Sequence, residues 1–355
     1  MIGKLLCDAD LRNLTRVSRR LRAIGCPQYL RRKGVTESAS RQSLRVHSDG
    51  FKALGMWRQS PGFSAQQILF CNFNFDPTLA CLEIPWLLKF FISLPSQPSI
   101  FFRCICFYNI QTQTLQNLLD LLKITVHRTR CRNLDISGMS FQDGRWRMKG
   151  RQTKCLVLED LEELEFQDCN LAGQQWMSLL SKLRIPSLRE LTIVGETSMV
   201  AVYHFLCRHP DVRIIHFRRC TAKDVMPSSS GDLRLPHLWS LKGLPLQLLD
   251  LLRSLPSQPA IGKLVVESIL PTTSPQDTLF NQVLRCLTLC KGHLALEISL
   301  TKEASIAELM RVDVCIPIDL RGTTLPCTIS TLCIEYEDVC DESILVCYIS
   351  EMVLV

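Results

Sequence analysis

Two short runs carry side chains with the types and spacing that metal or thiol chemistry needs. His204-Phe-Leu-Cys207-Arg-His209 gathers three potential metal donors, and on a helix His204 and Cys207 share a face. Zinc held this way needs a second donor pair, and none with zinc-finger spacing lies nearby. The run therefore reads as a helix end before Pro210. Cys286 and Cys290 fall one helical turn apart, within a stretch (Val283-Leu-Arg-Cys-Leu-Thr-Leu) that is apolar on their side, so they read as core-facing thiols. No C-x-x-C, H-E-x-x-H or G-x-S-x-G string is present, and neither is a glycine-rich phosphate loop. With 18 cysteines and 7 histidines, chance neighbours are expected, and a dyad distant in sequence stays open. The expectation is a chain with no catalytic residues, no metal and no cofactor.

Bulk properties describe a folded chain with a large core. In 355 residues, 46% are hydrophobic and 21% charged, which excludes a mainly disordered chain. The longest apolar run, Ile84–Leu94, is interrupted by Lys89 and is shorter than the ~20 residues of a membrane helix. The opening Met1-Ile-Gly-Lys-Leu-Leu-Cys-Asp8 reaches an acid too early for a secretory signal. A soluble cytoplasmic or nuclear protein is expected, with no membrane partner. Cysteines such as Cys104, Cys106, Cys155, Cys169, Cys207 and Cys220 sit within apolar segments, as buried thiols of a reducing compartment would. The net charge of +7 comes largely from Arg16, Arg19, Arg20, Arg22, Arg31, Arg32 and Lys33, a cluster that a solvated helix face explains better than nucleic acid does.

Behind these side chains lies a repeat. Ser93-Leu-Pro-Ser-Gln-Pro-Ser-Ile100 recurs as Ser254-Leu-Pro-Ser-Gln-Pro-Ala-Ile261, each between a helical stretch and a strand-like run. The strand runs place aliphatics at the first, fourth and sixth positions. Leu161-Glu-Glu-Leu-Glu-Phe-Gln-Asp-Cys169 and Val212-Arg-Ile-Ile-His-Phe-Arg-Arg-Cys220 fit best. The runs from Cys131, Leu188, Ile261 and Ile329 fit closely, those from Leu235 and Leu294 more weakly, and earlier copies begin near Ser43 and Gln67. They recur roughly every 23–36 residues, and the pattern is that of leucine-rich repeats. Between them the apolar spacing turns helical, as in Trp176, Leu179, Leu180 and Leu183. The expected fold is α/β, a leucine-rich-repeat solenoid over 36–355 with parallel inner strands and outer helices. A doubly wound sheet is the rival.

In such a solenoid, the residue between the last two aliphatics of each strand faces the concave side. That places Asp135, Glu165, Thr192, His216 and Trp239 in a row, with Arg218 beside them, as candidate substrate-binding residues. An exposed tryptophan near an arginine suits an interface anchor.

The first 35 residues differ. Leu11, Leu14, Val17, Leu21 and Ile24 follow helical spacing from an Asp8 or Asp10 cap to Gly25, and a second short helix runs from Pro27 to Arg32. Asp10-Leu11, Leu14, Val17-Ser-Arg-Arg-Leu21 and Ile24-x-x-Pro27-x-Tyr-Leu30 resemble the second and third helices of an F-box, in the version found in fungal F-box proteins with leucine-rich repeats. The family's first helix, with its Leu-Pro-x-Glu, has no counterpart here, so the resemblance is to an F-box truncated at its N-terminus. It implies a substrate receptor of a cullin-type ubiquitin ligase, with Leu11, Leu14, Val17, Leu21 and Pro27 meeting a Skp-type adaptor subunit and the repeats holding an unknown substrate protein. A repeat scaffold without a ligase role is the alternative, and nucleic-acid binding through the basic N-terminus is a weaker one.

Overall fold

Alternating buried apolar and part-exposed residues make β3, β4, β6 and β9, while β11, β13 and β14 bury two or three residues in succession. The computed structural model describes residues 6–38, 42–58, 69–94, 102–112, 115–141, 155–222, 224, 233–256, 260–268, 285–300 and 327–336. The chain divides into two compact units, Met1–Leu188 and Arg189–Val355. Among the described residues, no helix is long and apolar enough to cross a membrane.

The first unit opens with α1 (Asp8–Val17) and α2 (Arg19–Arg32), then β1 (Val35–Ser38), β2 (Ser43–His47), α3 (Gly50–Arg58), β3 (Phe70–Asn74), α4 (Ala80–Ser93) and β4 (Cys104–Tyr108). It continues with β5 (Gln111–Thr112), α5 (Leu115–Thr129), β6 (Asn133–Ser137), β7 (Ser140–Phe141), β8 (Leu156–Val157), β9 (Glu163–Gln167), α6 (Gly173–Lys182) and β10 (Leu183–Arg184). Its main sheet runs β1-β2-β3-β4-β6-β9, parallel from β2 onward, with β1 antiparallel at the edge. The order never reverses, so the crevice at which doubly wound sheets hold nucleotides does not arise among these strands.

The second unit comprises β11 (Glu190–Thr197), α7 (Met199–Leu206), β12 (Ile214–Ala222), β13 (Ser240–Gly243), α8 (Pro245–Ser254), β14 (Lys263–Ser268), β15 (Gly292–Leu300) and β16 (Cys327–Tyr336). These strands are parallel and again neighbour one another in chain order.

Both interiors are built from matching strand positions. In the first unit Leu44, Cys71, Ile105, Leu134 and Leu164 lie in register, as do Val46, Phe73, Phe107, Ile136 and Phe166, and all are buried. Phe51, Phe73, Phe75, Phe91 and Phe107 form one aromatic cluster there, and Trp176 of α6 meets Phe166 edge-on at 5.2 Å. In the second unit Leu191, Ile215, Leu241, Leu264 and Leu296 repeat the arrangement.

A left-handed residue turns the chain just past β2, β4, β6 and β9 (Ser48, Asn109, Gly138 and Asp168), and in the second unit Gly195 and Arg219 bend β11 and β12 before their ends, with a register shift between Val194 and Glu196. Glycine fits where neighbours crowd, for a Cβ on Gly138 would come within 2.8 Å of Asn109 Oδ1. The next residue often returns to the interior, as Ile110, Met139, Cys169 and Cys220 do.

Three expectations need correction. The helix foreseen from Asp8 to Gly25 breaks at Ser18, whose hydroxyl accepts the Leu21 N–H at 3.1 Å and caps α2. α2 then passes through Pro27, whose ring is exposed, so the helix loses one backbone bond without a buried clash. The cap of α1 is Cys7, its sulfur accepting the Asp10 N–H at 3.4 Å while the Asp10 carboxylate accepts the Cys7 N–H at 3.3 Å.

Candidate functional site

α1 packs on α2 at Gly25, where a Cβ would stand 3.5 Å from the Leu11 carbonyl and 3.7 Å from Thr15 Cγ2; Leu11 and Thr15 are buried, and the Cys26 sulfur reaches the Met56 carbonyl of α3 at 3.7 Å. Asp8 takes Lys33 at 2.8 Å and Arg32 at 3.5 Å, which holds its carboxyl below the usual range and occupies part of the basic cluster. Between the two helices lies an open groove of about 550 Å³, lined by Leu14, Val17, Leu21, Ile24 and others. Val17 is 71% exposed and Ile24 63%. Of the foreseen adaptor residues, Val17 is fully presented, and Leu14 and Leu21 are half-buried in the groove. Leu11 is 1% exposed and forms the groove's floor, a core position where a contact residue was expected. Pro27 is exposed but is not among the residues lining the groove.

On the sheet of the first unit, the row Arg45–Asn72–Cys106–Asp135–Glu165 runs across adjacent strands on the face away from the core. Asp135 and Glu165 therefore stand side by side, as the spacing predicts. Burial, then the charge of Glu165, raises the Asp135 carboxyl to about 6. Its Oδ1 is buried without a hydrogen-bond partner. Glu163 beside them accepts a hydrogen bond from Asn133 Nδ2, and burial raises its carboxyl too. The Cys104 and Cys106 sulfurs lie 3.5 Å apart on the same face. Their contact, together with burial, pushes the Cys106 thiol up. This face can receive cationic or hydrogen-bond-donating groups.

The second unit's row is Thr192–His216–Lys242–Val265–Glu297. Lys242, not Trp239, follows His216, because the true repeat here is Leu238-Trp-Ser-Leu241 and the foreseen register was displaced by one turn of leucine spacing. Trp239 lies before β13 and is 61% exposed. Thr192, in register with His216, is 4% exposed and offers almost no surface to a partner. Burial first, then Arg218 and Lys242, lowers the His216 imidazole to about 4. A ring neutral at physiological pH makes its 3.8 Å approach to Glu190 a polar contact and not an ion pair. Lys242 meets Glu267 at 3.3 Å and Lys263 meets Glu297 at 2.6 Å. Arg218 is exposed.

The thiol and imidazole candidates are drawn into structure. His209 is buried, its Nδ1 2.7 Å from the Phe205 carbonyl and its ring tilted over Phe205 at 4.0 Å, while His204 is exposed. Cys286 and Cys290 are buried in the core, which raises both thiols to about 12. Cys155 is exposed, and Cys104, Cys106 and Cys207 are half-buried, so these four depart from the expected burial. Among the described residues, no group of three or more His, Cys, Asp or Glu side chains has the arrangement to hold a metal ion.

One surface escaped the sequence reading. Leu82 and Trp86 of α4 are 59% and 40% exposed, with Lys89 Nζ 4.7 Å from the Trp86 ring centre. The signal was there, since α4 is apolar on more faces than one sheet can cover. No known family profile matches the chain, and no characterised protein is recognisably similar in sequence.

Proposed function

We propose that this protein is a protein-recognition module, a leucine-rich-repeat solenoid whose N-terminal helical hairpin docks an adaptor and whose strand face holds a substrate. In the fullest form of this reading it is a substrate receptor of a cullin-type ubiquitin ligase, acting in the cytoplasm or nucleus, and not itself an enzyme. The observation that carries it is the apolar groove between α1 and α2, where Val17 and Ile24 stand exposed on a helical pair that resembles part of an F-box. Singly exposed aliphatics are ordinary, but a contiguous apolar groove marks an interaction site, and one between two helices suits a partner's apolar helix. The sequential parallel strands and their recurrent left-handed turns support the repeat architecture.

The test is copurification of the full chain with a Skp-type adaptor and cullin. Wild type is expected to bind, and the V17D/I24D double variant to bind about thirtyfold more weakly, the loss of one interface hot spot. Both residues are exposed, so unchanged thermal melting would separate lost docking from lost folding. If wild type fails to copurify, the ligase role falls and a repeat scaffold without ligase assembly remains.

A further inference from the structure

Arg189, Arg213 and Trp239 each immediately precede the first residue of their strand, β11, β12 and β13. Backbone bonds fix them as neighbours: Arg213 N–H to the Arg189 carbonyl at 2.8 Å, Trp239 N–H to the Arg213 carbonyl at 2.7 Å, and Gly262 N–H to the Trp239 carbonyl at 2.9 Å. Successive side chains in such a row stand about 4.8 Å apart. All three are exposed. Among the described residues, neither arginine has a side-chain hydrogen bond or ion pair, whereas Lys242 and Lys263 are each taken by a glutamate.

The indole is held in place from below. A Cβ on Gly262 would lie 2.2 Å from Trp239 Cζ3 and 2.3 Å from Cη2, so the ring occupies the space that any side chain there would fill. One face of the ring rests on glycine backbone and leaves much of the indole in solvent, at 61% exposure. The nearest acids in sequence are Asp211, exposed in the preceding loop, and Glu190, which approaches His216.

We propose that this row anchors an acidic polypeptide segment that carries an aromatic or aliphatic side chain next to its carboxylates. Two unpaired guanidiniums side by side match carboxylates in bidentate fashion, and the free indole face takes the apolar side chain. A single exposed aromatic in the row argues against single-stranded nucleic acid, which stacks on several in succession. The inference rests on the protein-recognition reading and names the chemistry of the segment recognised.

Fluorescence anisotropy of the full chain with fluorescein-labelled Asp-Glu-Leu-Glu-Phe-Asp-Glu tests it, beside the lysine counterpart Lys-Lys-Leu-Lys-Phe-Lys-Lys and an oligothymidylate. Wild type is expected to bind the acidic probe in preference to both others, more weakly as salt rises. R189E/R213E should lose at least tenfold in affinity, and W239A and G262V about fivefold each, with R189E/R213E melting as wild type does. The proposal is overturned if wild type does not bind the acidic probe, if R189E/R213E binds it equally, or if the oligothymidylate binds more tightly. Adaptor copurification of R189E/R213E keeps the two readings apart. Loss of peptide binding with adaptor binding intact supports this site, and absence of adaptor binding from wild type leaves it standing.

Discussion

The two units build their outward sheet faces from the same positions and fill them in opposite ways. In the first, Asp135, Glu163 and Glu165 crowd together, and burial lifts Asp135 and Glu163 toward the protonated form. In the second, Lys242 and Lys263 are matched by Glu267 and Glu297, and His216 is held neutral. The inner faces are alike, an aliphatic or aromatic ladder in both. An outward face can thus be rewritten without touching the interior, because alternate residues of a strand belong to different surroundings. The first face holds its charge in reserve, and the second has paired most of its own.

The largest effect tests the shared interior. Phe166→Ala and Phe217→Ala each remove a fully buried ring, and each should cost about 3–5 kcal/mol in urea unfolding. A loss below about 1 kcal/mol at either site would break the equivalence of the two interiors. Next comes the reserve of charge. Asp135→Asn should stabilise the protein by about 1–2 kcal/mol above pH 7, a figure reduced for the partial exposure of the side chain. Because the folded carboxyl titrates near 6 and the unfolded one near 3.8, the wild-type penalty is fully present above 6 and fades as pH falls toward 4. The gap between variant and wild type should close over that window, and a gap that does not depend on pH would refute the assignment. The smallest effect belongs to the second face. Glu297→Gln should cost about 0.5–1 kcal/mol at low salt and less at high salt, since Lys263 is nearly half exposed.

The strands were legible because each repeats an aliphatic spacing that only a half-buried strand satisfies, and β6, β9, β11, β12 and β14 lie where that spacing put them. β13 was displaced because Leu235, Leu238 and Leu241 are themselves three apart, so the pattern fits in two frames and only pairing with Ile215 chooses one. The break at Ser18 was hidden for a similar reason, since Leu14, Val17 and Leu21 keep helical spacing across it. Edge strand β1 gave no signal, being a short Val-Thr-Glu-Ser whose place depends on β2 and on the 3.3 Å bond from Trp57 Nε1 to Glu37. Of the candidate site, Asp135, Glu165, His216 and Arg218 were visible from alternation alone. Arg189, Arg213 and Lys242 were not, for their meaning comes from what stands beside them on other strands.

The left-handed residues near the strand ends bear on how this chain can change its length. From the first buried strand residue to the turn, every position is tied to a neighbour in register, so one added residue would exchange inside for outside. Past the turn the ties are few, Gln111–Thr112 with Ser140–Phe141 and Glu196–Thr197 with Thr221–Ala222, and beyond them the helical side differs from one copy to the next, from the fifteen-residue α5 to the ten-residue α6. Insertions and deletions can therefore accumulate along the helical border while the row of strands keeps its spacing. A family of such chains would drift in outline and hold its binding face constant in pitch, varying it by substitution alone.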